Sequence, residues 1–339
     1  MTTHGSVQPA RWHRRAIRGA ALSLVAASLI VLSACSGDAS ATEVRANGSV
    51  TNPANAAAPA STPQRKSYLV PPPSGVAPKQ PVAVSAPKLS ARAAVVVDDA
   101  SGAVLYDYNG RTRMQPASLT KIATAALAID RGKLDDWVSV DFDFDDPGLD
   151  DASVMGLRRG DRFKMRDLIF GMLLPSGADA SIAIGRAVSG SDAAFVKDLN
   201  AFMESLGLFD THFIDPHGLG GPTHLSTAYD IAMLSRYAMR QPLFAEVAKS
   251  EVHKATGSRP IEVYNTNPWA FNYDGGDGVK SGFTEQAGPT LSASATRNGH
   301  RVFVVVLDAS QRNTDTTALM DWAFKTFCWN DGALGCTAR

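Results

Sequence analysis

Three short groups of residues have the types and spacing to do chemistry. Ser118-Leu119-Thr120-Lys121 puts a hydroxyl and an amine three residues apart. On a helix, positions i and i+3 share a face, so Ser118 Oγ is expected near Lys121 Nζ. A lysine desolvated beside other cations can lose its proton and act as a general base. A hydroxyl at a helix start also has oriented N–H groups nearby that can stabilise an oxyanion. Roughly one S-x-x-K arises by chance in a chain of this size, and a solvated surface lysine is the plain alternative. The run Ile122 to Ile129 behind it is too apolar for an exposed helix, which disfavours that alternative.

The second group is Ser176-Gly177-Ala178-Asp179, after Leu173-Leu174-Pro175. It lies between two helical runs and can project a hydroxyl into a cleft. Alone, it reads equally as a helix-initiating loop with Ser or Asp as cap. The third is Lys280-Ser281-Gly282-Phe283-Thr284, on an expected strand. Gly282 inside a strand marks close backbone approach by another chain or a ligand. A lysine and a hydroxyl beside it can hold a carboxylate, though Lys-Ser-Gly is also an ordinary turn.

Other candidate ligands are weaker. Asp141, Asp143, Asp145 and Asp146 resemble a calcium loop but lack the Gly and final Glu of an EF-hand, which favours a solvated acidic loop. His217 and His224 have the wrong spacing for a metal site, and His217 reads as structural. No metal or cofactor is expected.

The whole chain restricts the classes further. Its 339 residues carry 33 Lys+Arg and 33 Asp+Glu, a formal net charge of zero, with 45% hydrophobic residues. That balance excludes a disordered polyelectrolyte and offers no basic field for nucleic acid. Three cysteines are too few for a disulfide scaffold. Cys328 and Cys336 are expected to pair in an oxidising compartment.

The N-terminus reads as an address. Arg11, Arg14, Arg15 and Arg18 precede an uncharged apolar run from Gly19 to Ala34, shorter than the roughly 20 residues of a spanning helix. The end of the run, Leu32-Ser33-Ala34-Cys35, resembles a bacterial lipobox, in which the Cys is lipidated. Residues 1–35 are therefore expected to be a signal peptide with its lipobox. Arg14-Arg15 is a poorer match to a twin-arginine signal. Two acyl chains on Cys35 suffice for stable anchoring at a membrane face. Residues 36–89, rich in Ala, Pro, Ser, Asn and Thr, are expected to form a disordered linker.

The folded part is expected at 90–328, with 329–339 as a tail. Ala93 to Asp98 and Ala103 to Tyr108 read as a hairpin. Helical spacing predicts helices over 118–131, 164–174, 180–188, 192–206, 227–239 and 314–327. Thr227 and Asp230 suit a capping box. Strands are predicted over 279–283, 290–297 and 301–307, the last two joined by Asn298-Gly299, a type I′ turn signal. Strands at both ends and helices between them predict one antiparallel sheet with helices on its faces.

In this order, S-x-x-K opening a helix, Ser-x-x between helices and K-[ST]-G on a late strand resemble the serine penicillin-recognising pattern. With Val95-Val96-Val97-Asp98, Pro116-Ala117, Leu173 to Ala180, His217-Gly218-Leu219, Ser226-Thr227-Ala228 and Gly278 to Gly288, the chain over about 90–328 is similar to the D-alanyl-D-alanine carboxypeptidases, the low-molecular-mass penicillin-binding proteins. The resemblance implies an α+β fold of the β-lactamase/transpeptidase type, with a helical subdomain carrying the second group. It implies that Ser118 attacks the carbonyl between two D-alanines of a peptidoglycan stem peptide and that Lys121 takes its proton. Ser176 would relay a proton to the leaving D-Ala, and Lys280 and Ser281 would bind the terminal carboxylate. The N–H groups of Ser118 and Phe283 would form the oxyanion hole, with the strand at Lys280 pairing with the substrate backbone. β-Lactams would act as covalent inhibitors.

Two departures qualify the resemblance. Ala178 stands where the pattern has Asn, a contact worth about 1–3 kcal/mol if nothing replaces it. Ser281 replaces the commoner Thr and keeps the hydroxyl. No second β-rich domain or C-terminal amphipathic anchor is read after residue 328, and the lipid on Cys35 is expected to supply the anchor. The alternatives are a β-lactamase of the same fold, or a wall-binding lipoprotein impaired through Ala178. The first lacks a deacylating Glu in a Glu-x-x-Leu-Asn context between Ala178 and Lys280.

Overall fold

The computed structural model describes residues 77–80, 84–143 and 152–329. The signal peptide, Cys35, Cys336, Asp145, Asp146 and most of the linker lie outside the described residues.

Strands β1 (Ala91–Asp98) and β2 (Val104–Tyr108) form the expected antiparallel hairpin. Its turn is closed by Asp98, whose Oδ2 accepts the Ser101 N–H at 2.7 Å. Strands β3 (Trp137–Ser139) and β4 (Arg162–Lys164) pair in a small ribbon, as do β5 (Val252–Thr256) and β6 (Pro260–Tyr264). The remaining strands are β7 (Gly276–Thr284), β8 (Gly288–Arg297) and β9 (His300–Ala309). The main sheet runs β2-β1-β9-β8-β7, antiparallel throughout, which leaves β7 as an edge. Asn298 and Gly299 both take positive φ in the β8–β9 turn, as a type I′ turn requires.

Side chains alternate across a strand, and the sheet buries both faces. From β1, Ala93, Val95 and Val97 enter one core with helices α1 (Thr120–Asp130) and α5 (Ala228–Ala238). Ala94 and Val96 enter a second core under α8 (Arg312–Thr326). This is the expected α+β arrangement, with helices on both faces. Helices α2 (Met165–Leu173), α3 (Ala178–Ser189) and α4 (Asp192–Ser205) pack beside α1 and carry the Ser176 turn between α2 and α3. Helix α1 is apolar nearly all round and buried from Thr120 to Ala128, the pattern of a central helix. Thr227 caps α5 by accepting the Asp230 N–H at 3.0 Å. Asp230 turns its own carboxylate to Thr211 instead of closing the box.

Several expectations are corrected. Ser118 does not open the α-helix but sits in a 3-10 turn, Ala117–Leu119, ahead of it. The helix expected from Lys164 begins at Met165, because 162–164 pair as β4. Helix α6 (Pro242–Lys249), a short turn α7 (Trp269–Asn272) and the β5–β6 ribbon were not expected. The linker is shorter than 36–89 at its C-terminal end: Lys79 exchanges both backbone hydrogen bonds with Cys328, and Val84 accepts from Trp322 Nε1 at 3.1 Å. The domain also extends past 328. Trp329 Nε1 donates to Asp98 Oδ1 at 2.7 Å, and its ring stacks on His300. Peptide groups with sheet-like partners and an indole with a carboxylate acceptor outweigh the local Pro/Ala-rich composition. Among the described residues no helix is long and apolar enough to cross a membrane.

Candidate active site

The Ser118 turn is built on strain. Ala117, just before Ser118, has φ of 51°, a left-handed conformation unusual for Ala. Such a residue costs on the order of 1–3 kcal/mol and persists only where its surroundings hold it. Leu119 at the end of the turn and Ile122 in the first turn of α1 are fully buried, each contributing about 1.5–3 kcal/mol, so packing outweighs the strain. Hydrogen bonds fix the rest. Thr120 Oγ1 donates to the Ala117 carbonyl at 2.9 Å and accepts from His224 Nε2 at 2.8 Å. His224 Nδ1 in turn accepts the Ile214 N–H at 3.2 Å.

This turn places Ser118 Oγ 3.1 Å from Lys121 Nζ. The i, i+3 spacing works here across the junction of the 3-10 turn and α1. Lys121 Nζ also donates to the His217 carbonyl at 2.7 Å. Lys121 is 1% exposed. Burial lowers its pKa to about 7 against the opposing pull of Asp215 and Asp179. An amine that titrates near neutrality can accept a proton at neutral pH.

Ser176 faces it from the other wall, with φ of 68°. Its Oγ donates to Ser118 Oγ at 2.9 Å. Asp179 organises this wall. Its buried carboxylate accepts N–H groups from Met155, Gly156, Leu157 and Ala180, each at 2.8 Å. The Ser153 carbonyl accepts the Ala178 N–H at 2.8 Å, so the 152–157 segment lies against the start of α3. Ala178 is buried at the cleft, and its side chain offers no polar group there.

The third wall is the outer edge strand, β7. A Cβ on Gly282 would come 2.9 Å from Ser118 N and 2.6 Å from Thr290 Oγ1. Close backbone approach is thus what Gly282 permits, and the neighbour is the Ser118 turn. Lys280 is buried and its Nζ donates to the Ser281 carbonyl at 2.8 Å. Burial, then Lys121 and Arg312, push its pKa well down. Phe283 stands exposed at the cleft edge.

Ser118, Lys121, Ser176, Lys280, Ser281, Gly282 and Phe283 therefore line one cleft of about 280 Å³. Leu219 of the His217-Gly218-Leu219 segment lines it too, as do Arg312, Ser153 and Thr266, which sequence reading did not single out. Arg312 Nη1 donates to the Gly282 carbonyl at 2.8 Å from the first turn of α8. Only tertiary structure brings it to β7, so no local pattern marks it. His217 and His224 lie behind Lys121 in the loop stitched to α1, a structural placement. Asp141 and Asp143 are tied to Arg186 and Arg159. Among the described residues, no group of three or more His, Cys, Asp or Glu is placed to hold a metal ion. Cys328 is disulfide-bonded.

Known proteins resemble this chain along most of its described length. Residues 80–311 match the sequence profile of the family described as D-alanyl-D-alanine carboxypeptidase. The D-alanyl-D-alanine carboxypeptidase DacC of Escherichia coli is 38% identical over 257 residues, 72% of this chain and 64% of the relative. DacF of Bacillus subtilis is 33% identical over 70% of this chain and 63% of its own length. The chain thus spans a little under two thirds of these two relatives. Among solved structures, the Streptomyces K15 DD-transpeptidase superposes with a TM-score of 0.68 at 29% identity, covering 71% of this chain and 99% of that one. The D-alanyl-D-alanine carboxypeptidase of Mycobacterium tuberculosis H37Rv gives 0.68 at 28% identity, over 73% and 95%.

Proposed function

Because the chain belongs to the D-alanyl-D-alanine carboxypeptidase family, we propose that it removes the terminal D-Ala from peptidoglycan stem peptides through an acyl-enzyme on Ser118. The observation that carries the reading is the placement of one hydroxyl between two partners. Ser118 Oγ lies 3.1 Å from a buried lysine titrating near 7 and 2.9 Å from a second hydroxyl.

In this reading, neutral Lys121 takes the Ser118 proton as Oγ bonds to the carbonyl carbon between the two D-alanines. The N–H groups of Ser118 and Phe283 stabilise the developing oxyanion. Ser176 passes a proton to the leaving amine as the C–N bond breaks and D-Ala departs. Lys280 and Ser281 hold the terminal carboxylate, and Arg312 adds positive charge to that corner. The peptide adds as a strand beside β7, whose outer edge lines the cleft. Water then releases the shortened peptide and returns the serine. β-Lactams would enter the same cycle and stall at the acyl-enzyme. No metal or cofactor takes part in this scheme.

We also place Cys35 as the lipidated N-terminus of an envelope protein outside the cytoplasm, with the chain ahead of residue 77 as its tether. We pair Cys328 with Cys336. The N-terminal apolar run, the Leu-Ser-Ala-Cys end and the disulfide at Cys328 support these assignments.

Incubation with an acyl-Lys-D-Ala-D-Ala tripeptide tests the activity. The expected result is stoichiometric release of D-Ala, absent in Ser118→Ala; release undiminished in the variant refutes the reading. One observation favours a second outcome of the same chemistry, transfer to an amine. The match to the K15 DD-transpeptidase covers nearly all of that protein. Adding a glycyl peptide acceptor separates the two: a ligated product means transfer, and free shortened peptide means hydrolysis. The β-lactamase and non-catalytic binder readings gain no support from the family match.

A further inference from the structure

The carboxylate of Asp215 lies behind the nucleophile turn, outside the cleft lining. It sits in the loop between α4 and α5, which folds over the first turn of α1. Oδ1 accepts the N–H groups of His217 at 2.8 Å and Gly218 at 2.5 Å. The turn it closes is pressed against the nucleophile. Gly218 has φ of +90°, and a Cβ there would lie 1.9 Å from the Ala117 carbonyl oxygen. Thr124 Oγ1 ties the same turn to α1 by donating to the Pro216 carbonyl at 2.7 Å. The product of this geometry is the His217 carbonyl, aimed at Lys121 Nζ at 2.7 Å.

The other carboxylate oxygen behaves differently. Oδ2 is buried with no hydrogen-bond partner among the described residues. His224 Nδ1 is 3.6 Å from it and already accepts from Ile214, while His217 Nδ1 lies 3.0 Å from the other oxygen, Oδ1. A buried anionic oxygen left unbonded is costly unless its charge is used by the surroundings.

We propose that Asp215 is a positioning residue for the reaction: its two backbone bonds fix the His217 carbonyl that receives Lys121 Nζ, and its charge faces that amine from behind. The role rests on the assignment of Ser118 and Lys121 made above. The charged groups acting on Lys121 are Asp215 and Asp179, of opposite sign; Lys280 is itself pushed well down by burial and by Lys121. His217 and His224 flank it and are held neutral near pH 7 by burial, His217 titrating at about 4. Among these, Asp215 is the largest opposing influence on the burial that lowers the lysine. It keeps the base strong enough to take a serine proton while still free of its own proton at neutral pH.

The test compares wild type, Asp215→Asn and Asp215→Ala in the pH dependence of acylation by benzylpenicillin, followed by intact mass. Asn keeps the acceptor for the two N–H groups and removes the charge; Ala removes both. The expected result for Asp215→Asn is an alkaline plateau within about threefold of wild type, with the acidic limb shifted to lower pH by half a unit or more. For Asp215→Ala the same shift is expected, with a rate at least tenfold lower at every pH. Two variants that match wild type in rate and midpoint overturn the role. So do two variants that lose rate equally with unmoved midpoints, which is what a merely structural residue gives. A wild-type protein that takes no adduct refutes the serine assignment itself; acylated wild type beside unchanged variants refutes only the role of Asp215.

Discussion

The two turns that face each other across the cleft are both strained, and they are held in different ways. The Ser118 turn at Ala117–Leu119 is anchored by the buried Leu119 and Ile122 and stitched by neutral hydrogen bonds from Thr120, Thr124 and His224. The Ser176 turn leans on one carboxylate, Asp179, which gathers four N–H groups from the start of α3 and from the 155–157 segment. The first arrangement spreads its support over many contacts and spends some of it on keeping Lys121 buried. The second has backbone bonds at Gly177 and Ala178 as well, but gathers most of its side-chain support in one carboxylate. A distributed support should tolerate loss of one contact; a concentrated one should not.

The largest expected effect lies on the nucleophile side and separates function from stability. Lys121→Met should slow acylation by about 10²–10⁴, the usual contribution of a general base. Burial takes this lysine from 10.5 to about 7, which corresponds to about 5 kcal/mol against the folded state at pH 7. Loss of its bond to the His217 carbonyl offsets about 1–3 kcal/mol of that. The melting temperature of Lys121→Met should therefore equal or exceed that of wild type, as calorimetry can check. A fall of several degrees would mean that the lysine supports the turn.

Asp179→Ala should do the reverse. It strands several backbone N–H groups and should cost about 3–5 kcal/mol, a drop on the order of 10 °C in melting temperature. An unchanged melt would show that the Ser176 turn has support besides Asp179. Gly218→Ala should follow, since the new Cβ would meet the Ala117 carbonyl at 1.9 Å in a left-handed backbone. About tenfold slower acylation is expected, with a melt lowered by several degrees; parity with wild type would show that the loop can move away freely.

The smallest expected effect is in pH. Lys121 is protonated below about 7 and neutral above it, so acylation of wild type should rise as pH passes upward through 7. The unfolded lysine keeps its proton up to about 10.5. Between about 7 and 10.5 the unfolded chain thus binds more protons at this group, and its contribution to stability should grow with pH. An acylation profile flat from pH 5 to 9 would contradict the assignment of Lys121 as base.

Much of the scaffold was legible because it follows period and punctuation. The β1–β2 hairpin, the Asn298-Gly299 turn, α1, α3, α4, α5 and the three C-terminal strands all carry local signals of the right kind. The β5–β6 ribbon was missed, although β6 alternates buried and exposed residues, because β5 buries only Ala255 and so carries no apolar alternation. In the site, Ser118, Lys121, Ser176 and Lys280 were named because the order of their three groups resembles the family pattern; each group alone reads equally as ordinary structure. The 3-10 form of the Ser118 turn could not, since it depends on Ala117 held at positive φ by packing from elsewhere. Asp179 looked like a helix cap and is a loop anchor; its partners at 155–157 are more than 20 residues away in sequence. Arg312 reaches β7 from α8, and the loop that carries Asp215 reaches α1 from between α4 and α5; nothing in their own neighbourhoods marks them.

The central claim is that Ser118, held on its strained turn, is the acylated residue. Intact mass of the protein after exposure to benzylpenicillin, followed by peptide mapping and beside Ser118→Ala, tests it most directly. The account predicts one drug-sized addition on the peptide containing Ser118 and none in the variant. An adduct that persists in Ser118→Ala, or that maps to Ser176, would contradict it.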